Sequence, residues 1–422
     1  MIIFKKNTLS ICNNCYRVIS ACIKEVDNKV VMEKYCPSHG IFLETVEKDP
    51  YFYKRTMNFH IPGLRHTCEA SCPNCYAQRD ILKTEGAVRR KHFCCLMIPV
   101  SYSCNLNCDF CYFSYRKTTN PSLSALKHLI SRFDGPKISL TGGEPTLRDD
   151  LADLVRLVVK SGKICSIATN GLRLADIDYA AKLKQAGLET LVFSLNTLDC
   201  KLASKIGEKD SIAIKLKALE NLKKLGIKVK LSTTLFRNAN VGGLSEIYNY
   251  CINNLDFITN WRIRSVFVLG NYAGGGCLYT SEMVEFVGRL IGVAKKKLID
   301  SFNRRVNYSP NFVFNIILYL LRQDNGVQLL DWDTNVRRRM PASLRERIIL
   351  EPYRLRRTFL DKKSRSYKEK VSTLGIDIIA WPTKYNLDVE EIKYSFLHHL
   401  TEDGRILPFS YALLENEKQG IK

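Results

Sequence analysis

From residue 94 onward short apolar runs alternate with amphipathic stretches, and no other feature restricts the fold of this 422-residue chain so tightly. CCLMIPVSY reads as a strand and SLSALKHLISRF as a helix, and PKISLTG with DLADLVRLVVKSG repeats the pair. KICSIATNG, ETLVFSLN, IKVKLSTTLF and WRIRSVFVLG are four further strands. Between them lie LADIDYAAKLKQAG, SIAIKLKALENLKKLG and VGGLSEIYNYCINN, whose apolar residues recur at helical spacing. Strands alternating with helices imply a parallel sheet with right-handed crossovers. Six units rather than eight predict an α/β fold built on a partial (β/α)6 barrel. Ligands of such barrels sit at the C-terminal ends of the strands.

Four motifs fall at that end. SYSCNLNCDFCYFSY, residues 101–115, sets Cys104, Cys108 and Cys111 after the first strand. Thr141-Gly142-Gly143-Glu144-Pro145 follows the second, Thr169-Asn170-Gly171 the third and Ser194-Leu195-Asn196 the fourth. Three thiolates are one short of a closed tetrahedral site. They can hold three irons of a [4Fe–4S] cluster and leave the fourth iron open, and zinc is the alternative the triplet alone leaves standing. Consecutive glycines let a backbone approach a ligand without Cβ clashes, and Glu144 offers a carboxylate to an ammonium group.

Twelve of the sixteen cysteines precede residue 112. MIIFKKNTLSICNNC has no apolar stretch of signal-peptide length, so a cytoplasmic, reducing compartment and metal ligation are expected. Cys68, Cys72 and Cys75 repeat the C-x3-C-x2-C spacing without a glycine-rich loop behind it. With Cys94 or Cys95 they would close an auxiliary [4Fe–4S] cluster, structural zinc being the alternative. Cys12, Cys15, Cys36 and His39 form a C-x2-C and C-x2-H pair suited to one mononuclear iron or zinc, unless His39 is a bystander of its CPSHG turn. Cys165, Cys200, Cys251 and Cys277 are isolated and read as small buried hydrophobes.

These groupings divide the chain into a metal-binding ribbon (1–60), an auxiliary-cluster segment (61–93), the barrel (94–300) and a basic, mainly helical C-terminal extension (301–422). Lys plus Arg number 64 against 42 Asp plus Glu, a net charge of +22. That excess points to an acidic partner: a phosphorylated or amphiphilic anionic substrate, a membrane surface, or nucleic acid. The extension carries Arg337, Arg338, Arg339, Arg345, Arg347, Arg354, Arg356 and Arg357, which would either grip phosphates or lie on a solvated helix face. FVFNIILYLL, residues 312–321, is about half the ~20 residues of a membrane span and reads as a buried helix, either core or the wall of an apolar channel. A nucleic-acid binding protein with zinc ribbons would explain the charge and the cysteine knuckles. It would not explain TGGEP on a βα repeat, and no recognisable RNA-binding module is present.

The cysteine triplet followed by TGGEP resembles the radical S-adenosylmethionine (SAM) superfamily. The resemblance implies that Gly142, Gly143 and Glu144, with Pro145, hold the SAM amino group. It places Phe110 or Tyr112 beside the adenine, and Asn170, Ser194 and Asn196 at the ribose or carboxylate. Reductive cleavage of SAM to a 5′-deoxyadenosyl radical is implied, with a one-electron donor such as ferredoxin or flavodoxin. The order of the three cysteine groups is similar to that of the tetraether lipid synthases and the archaeal pterin methyltransferases. IDIIAWPTKYNLDVEEIKYSFLHHLTEDGRILPF resembles their C-terminal segment, with its YNxD turn and DGRxxPF ending. Where those relatives tend to carry cysteines near that ending, this chain has Ser395 and Ser410, which puts a third cluster in doubt. C–C bond formation or alkylation at an unactivated carbon follows, on a lipid or other anionic amphiphile. Methylation of a small molecule or peptide, and RNA modification, are the alternatives.

Overall fold

The computed structural model describes residues 4–56, 95–113, 120–133, 135–208, 211–268, 276–302, 313–323, 326–334, 371–392, 397–401 and 404–420. The second cysteine triplet with Cys94, the arginine-rich stretch and Ser395 lie outside these residues.

The N-terminal ribbon is an antiparallel meander of β1 (Lys5–Ile11), β2 (Val18–Val26), β3 (Lys29–Cys36) and β4 (Gly40–Glu47), paired in chain order. Asp27 and Asn28 alone join β2 to β3, both at positive φ (48° and 55°), the geometry of a tight turn that matches strand twist. A short helix, α1 (Pro50–Thr56), follows.

The six expected strands all form: β5 (Cys95–Ser101), β6 (Lys137–Gly142), β7 (Ile164–Thr169), β8 (Thr190–Ser194), β9 (Lys228–Leu235) and β10 (Ile258–Ser265), parallel and neighbouring in sequence order. Between them run α2 (Leu123–Arg132), α3 (Leu151–Lys160), α4 (Ile177–Gln185), α5 (Cys200–Lys205), α6 (Ile212–Lys224) and α7 (Leu244–Asn253). The helices are set by their caps and stripes. Ser122, Asp176 and Asp199 accept first-turn amides of α2, α4 and α5, and α3 buries Leu151, Leu154, Val155 and Val158 on one face. Cys165 and Cys251 are buried as expected, whereas Cys200 is exposed and Cys277 half-buried.

Beyond α8 (Thr280–Leu290) and α9 (Lys295–Ser301) the structure corrects the reading of the extension. Among the described residues it is mainly sheet. β11 (Val313–Gln323) and β12 (Gly326–Asp333) form a hairpin, and β13 (Val371–Ile379) inserts between β11 and β10, parallel to β10. After α10 (Val389–Ile392), β14 (Leu397–Leu400) pairs parallel with β5, and β15 (Ile406–Pro408) turns back on it before α11 (Phe409–Gly420). The result is an open eleven-stranded sheet, β12-β11-β13-β10-β9-β8-β7-β6-β5-β14-β15, whose eight central strands run parallel. From Val313 onward the apolar run FVFNIILYLL is therefore a strand and not a helix. Phe314, Ile316, Leu318 and Leu320, alternating along β11, are at most 1% exposed, and Phe314 meets Phe52 and Phe302.

Polar contacts dock the ribbon on the barrel and on the YNxD turn. The buried Lys34 ammonium donates to the Ile11 carbonyl, Asn13 Oδ1 and the carbonyls of Lys384 and Tyr385, and burial lowers its pKa to about 8. Asp388 pairs with Lys6 at 2.7 Å, accepts from Thr8, and caps α10 through the amides of Glu390 and Glu391. At the end of β4, Glu47 accepts the Ser281 hydroxyl at 2.6 Å and amide at 3.3 Å, together with the amides of Lys48 and Asp49.

Burial pushes the Glu47 carboxyl up to about 7 despite those donors. The folded chain thus binds this proton more tightly than the unfolded one, and stability falls as pH rises from about 4.5 towards 7. Between pH 5.5 and 7.5 the loss attributable to Glu47 should be about 2 kcal/mol. Chemical denaturation of wild type and Glu47→Gln at both pH values should show that slope difference.

Candidate functional site

The mouth of the barrel is organised by a close approach between two loops. An ideal Cβ on Gly142, whose φ is 130°, would stand 2.1 Å from the Ser101 carbonyl oxygen, and one on Gly143 2.4 Å from that of Ser103. In the space this leaves, the Gly143 amide donates to Ser101 and the Glu144 amide to Ser103, both at 2.7 Å. The two glycines therefore bind the end of β6 to the loop that carries Cys104, Cys108 and Cys111. A third glycine does the same from the other side. Gly207, at φ 77°, admits the Asn107 carbonyl at 2.3 Å from where its Cβ would be.

Cys104, Cys108 and Cys111 are half-buried on this loop. Cys104 Sγ accepts the Leu106 amide at 3.4 Å and faces Asn170 Nδ2 at 3.9 Å. Burial, with Glu208 and Cys111 nearby, pushes the Cys108 thiol up to about 12. Its thiolate is disfavoured in the protein alone, a cost that binding to iron offsets. Three half-buried sulfurs on one loop fit a cluster held by three irons.

The Glu144 side chain is 1% exposed, and its carboxylate accepts the Thr146 amide and hydroxyl, the Thr169 hydroxyl and the Asn170 amide at 2.6–3.0 Å. It ties β6 to β7 and caps the turn opened by Pro145. Asn196, 2% exposed, donates to Glu208 at 2.6 Å and accepts the Thr234 amide at 2.7 Å. Glu208 in turn pairs with the fully buried Lys215 at 2.9 Å. Ser194 stays half-buried on the inner face of β8. Asn170 spans Cys104 and Asn105 Oδ1.

The two aromatic candidates separate. Phe110 sits at the mouth, edge-on to Phe236 at 4.9 Å. Tyr112 turns inward against Phe409, its hydroxyl by Thr141, and burial raises its pKa. Cys95 opens β5 at the end of the strand away from Cys104, buried beside Leu397 and Lys137.

The ribbon forms a second centre. The donor atoms of Cys12, Cys15, Cys36 and His39 all lie within 4.8 Å of one another. Cys15 and Cys36 sulfurs are 3.9 Å apart, and His39 Nδ1 is 3.5 Å from Cys12 Sγ and 3.4 Å from Cys36 Sγ. Tetrahedral zinc with ordinary bond lengths has edges of about 3.8 Å between sulfurs and about 3.6 Å from sulfur to nitrogen. The quartet fits one such ion, and His39 is positioned as a ligand rather than a bystander.

Sequence reasoning missed Lys230, Arg262 and Arg264. WRIRS carried the signal, two basic residues two apart in an otherwise apolar strand.

Residues 98–251 match the radical SAM superfamily model, and residues 4–48 that of the HMPTM N-terminal zinc ribbon domain. The 7,8-dihydro-6-hydroxymethylpterin dimethyltransferase of Methanocaldococcus jannaschii is 31% identical over 284 residues, 63% of this chain and 54% of that protein. The probable GTP 3′,8-cyclase of Methanococcus aeolicus is 34% identical over 168 residues, 37% of this chain and 54% of that protein. The chain thus spans about half the length of the curated relatives it matches. Among solved structures, Streptococcus suis SuiB bound to S-adenosylmethionine aligns at 21% identity, with a TM-score of 0.41 over 47% of each chain.

Loss of one ligand tests the ribbon. His39→Ala should drop zinc from about one equivalent per chain to well below it while leaving the iron content unchanged, as read by metal analysis of anaerobically purified protein.

Proposed function

This chain carries a radical SAM domain behind an N-terminal zinc ribbon, and from that premise we propose that it forms a C–C bond at an unactivated carbon of a small polar molecule by alkylation. The observation that carries this reading is the packing of Gly142 and Gly143 on the cysteine-bearing loop. It holds the backbone expected to meet SAM against the thiolates expected to meet iron. A [4Fe–4S] cluster held by Cys104, Cys108 and Cys111 would supply one electron for the reductive cleavage of SAM, and with it the means to take a hydrogen atom from the substrate.

The chain's own groups hold and orient. Cys104, Cys108 and Cys111 supply the thiolates. The glycine stretch, Gly142 and Gly143 with Glu144 and Pro145, takes the SAM ammonium. Phe110, at the mouth, is placed for adenine better than Tyr112, and Ser194 remains for ribose or carboxylate. Asn170 orients the loop beside Cys104. Hydrogen-atom transfer requires no general base, and none is assigned. The exposed Asn105, Asn107 and Asp109 form the rim at which a one-electron donor such as ferredoxin or flavodoxin approaches.

Alkylation of a small molecule is supported by the likeness to a pterin dimethyltransferase. Lipid coupling has less support, because the apolar run that would have walled a channel is a strand whose alternate residues fill the core. No helix among the described residues is long and apolar enough to cross a membrane.

Cys108→Ala should abolish 5′-deoxyadenosine formation from SAM and dithionite while the ribbon keeps its zinc. Cleavage persisting in that variant would remove the triplet from its assigned role.

A further inference from the structure

The barrel interior holds more positive charge than the groups assigned to SAM account for. On β9 and β10 the side chains alternate. Leu231, Trp261 and Ile263 are fully buried against the helices, so Lys230, Ser232 and Thr234, with Asn260, Arg262 and Arg264, face the interior. Strand register lines them up in rows. Ser194, Ser232, Arg262 and Asp377 are successive neighbours across β8, β9, β10 and β13. Lys230 stands beside Asn260 one step deeper, and Thr234 beside Arg264 one step nearer the mouth.

Lys230 and Asp377 have partners of their own, but other polar groups of the inner face are unspent. Asn260 is 1% exposed, and neither its amide nitrogen nor its oxygen has a hydrogen-bond partner. The Ser232 and Ser166 hydroxyls, also 1% exposed, have none either. The Nε of both arginines is buried without an acceptor, and among the described residues the side-chain hydrogen bond of Arg264 is Nη2 to the Thr234 hydroxyl at 3.2 Å, with Tyr112 nearby. Among the described residues no carboxylate lies within ion-pair distance of either guanidinium, and Asp377 has a partner of its own. Cations drawn from water, with each Nε buried, persist when something neutralises them. Two half-buried arginines whose backbone positions stand about 6.6 Å apart along one strand suit an oxyanion gripped by their guanidinium forks.

We propose that Arg262 and Arg264 are the recognition site for a phosphate group of the substrate, and that Asn260 and Ser232 read the neutral polar part next to it. The proposal rests on the reading of the barrel as a SAM-dependent alkylating site and adds the chemical class of what enters it. The competing source of an oxyanion is the methionyl carboxylate of SAM.

Calorimetric titration of the anaerobically reconstituted full chain separates the two, with inorganic pyrophosphate and SAM as separate titrants. Arg262→Gln should weaken pyrophosphate binding at least tenfold and leave SAM affinity within twofold. Arg262→Lys, which keeps the charge and loses the fork, should fall between and guards against a variant that fails to fold. No pyrophosphate binding by the wild type would overturn the proposal. Collapse of SAM affinity with pyrophosphate unaffected would also overturn it, assigning the arginines to the SAM carboxylate. Formation of 5′-deoxyadenosine by the wild type is scored in parallel. Its absence would count against the alkylation reading, whereas the pyrophosphate titration alone decides the anion site.

Discussion

The approach of Gly142 and Gly143 to the carbonyls of Ser101 and Ser103 is the constraint on which the mouth of the barrel depends. Any side chain at either glycine would occupy the space of a backbone atom, and backbone cannot step aside as a flexible side chain can. The two loops are therefore spaced by hydrogen bonds of 2.7 Å rather than by whatever ligand lies over them. Preorganisation of this kind matters for radical chemistry, where a reactive carbon must meet one hydrogen and be kept from water. Glu144, Thr146, Thr169 and Asn170 carry the same rigidity across to β7.

The glycines consequently have a reason other than the one their spacing suggests. In sequence they look like a gap left for a ligand; in the fold they are a gap filled by the neighbouring strand's end. Glu144 and Asn196 show a related limit. Both sit at strand ends where ligand contacts belong, and both also brace the protein itself, a second role that a sequence does not display. The six β/α units were legible because each strand and each helix repeats its own period. Residues 312–321 were not. Both faces of β11 carry apolar groups, Phe314, Ile316, Leu318 and Leu320 inward and Ile317, Tyr319 and Leu321 half-covered, which erases the alternation that distinguishes a strand from a helix. His39 was undecidable from the CPSHG turn until its ring nitrogen was seen between two sulfurs.

The interior cations illustrate the opposite limit. Arg262 and Arg264 are plain in the sequence, but only the register across β8, β9, β10 and β13 shows that they share a face with unpartnered serine and asparagine groups. The meaning lies in the row across the sheet, and the row is not contiguous in the chain.

The attachment of the ribbon sets an order of events in the making of the protein. All pairings within the ribbon fall before residue 48, and its four metal donors fall within residues 12–39. Such local contacts close early, as soon as the segment is free to fold. Lys34, however, donates to the carbonyls of Lys384 and Tyr385, and Lys6 and Thr8 wait for Asp388. These partners follow 350 or more residues later in the chain. With translation at about 5–20 residues per second, a finished, metal-filled ribbon waits some tens of seconds beside a growing barrel, its docking face open to solvent. The ribbon is therefore fastened late, when residues 384–388 reach Lys34, Lys6 and Thr8.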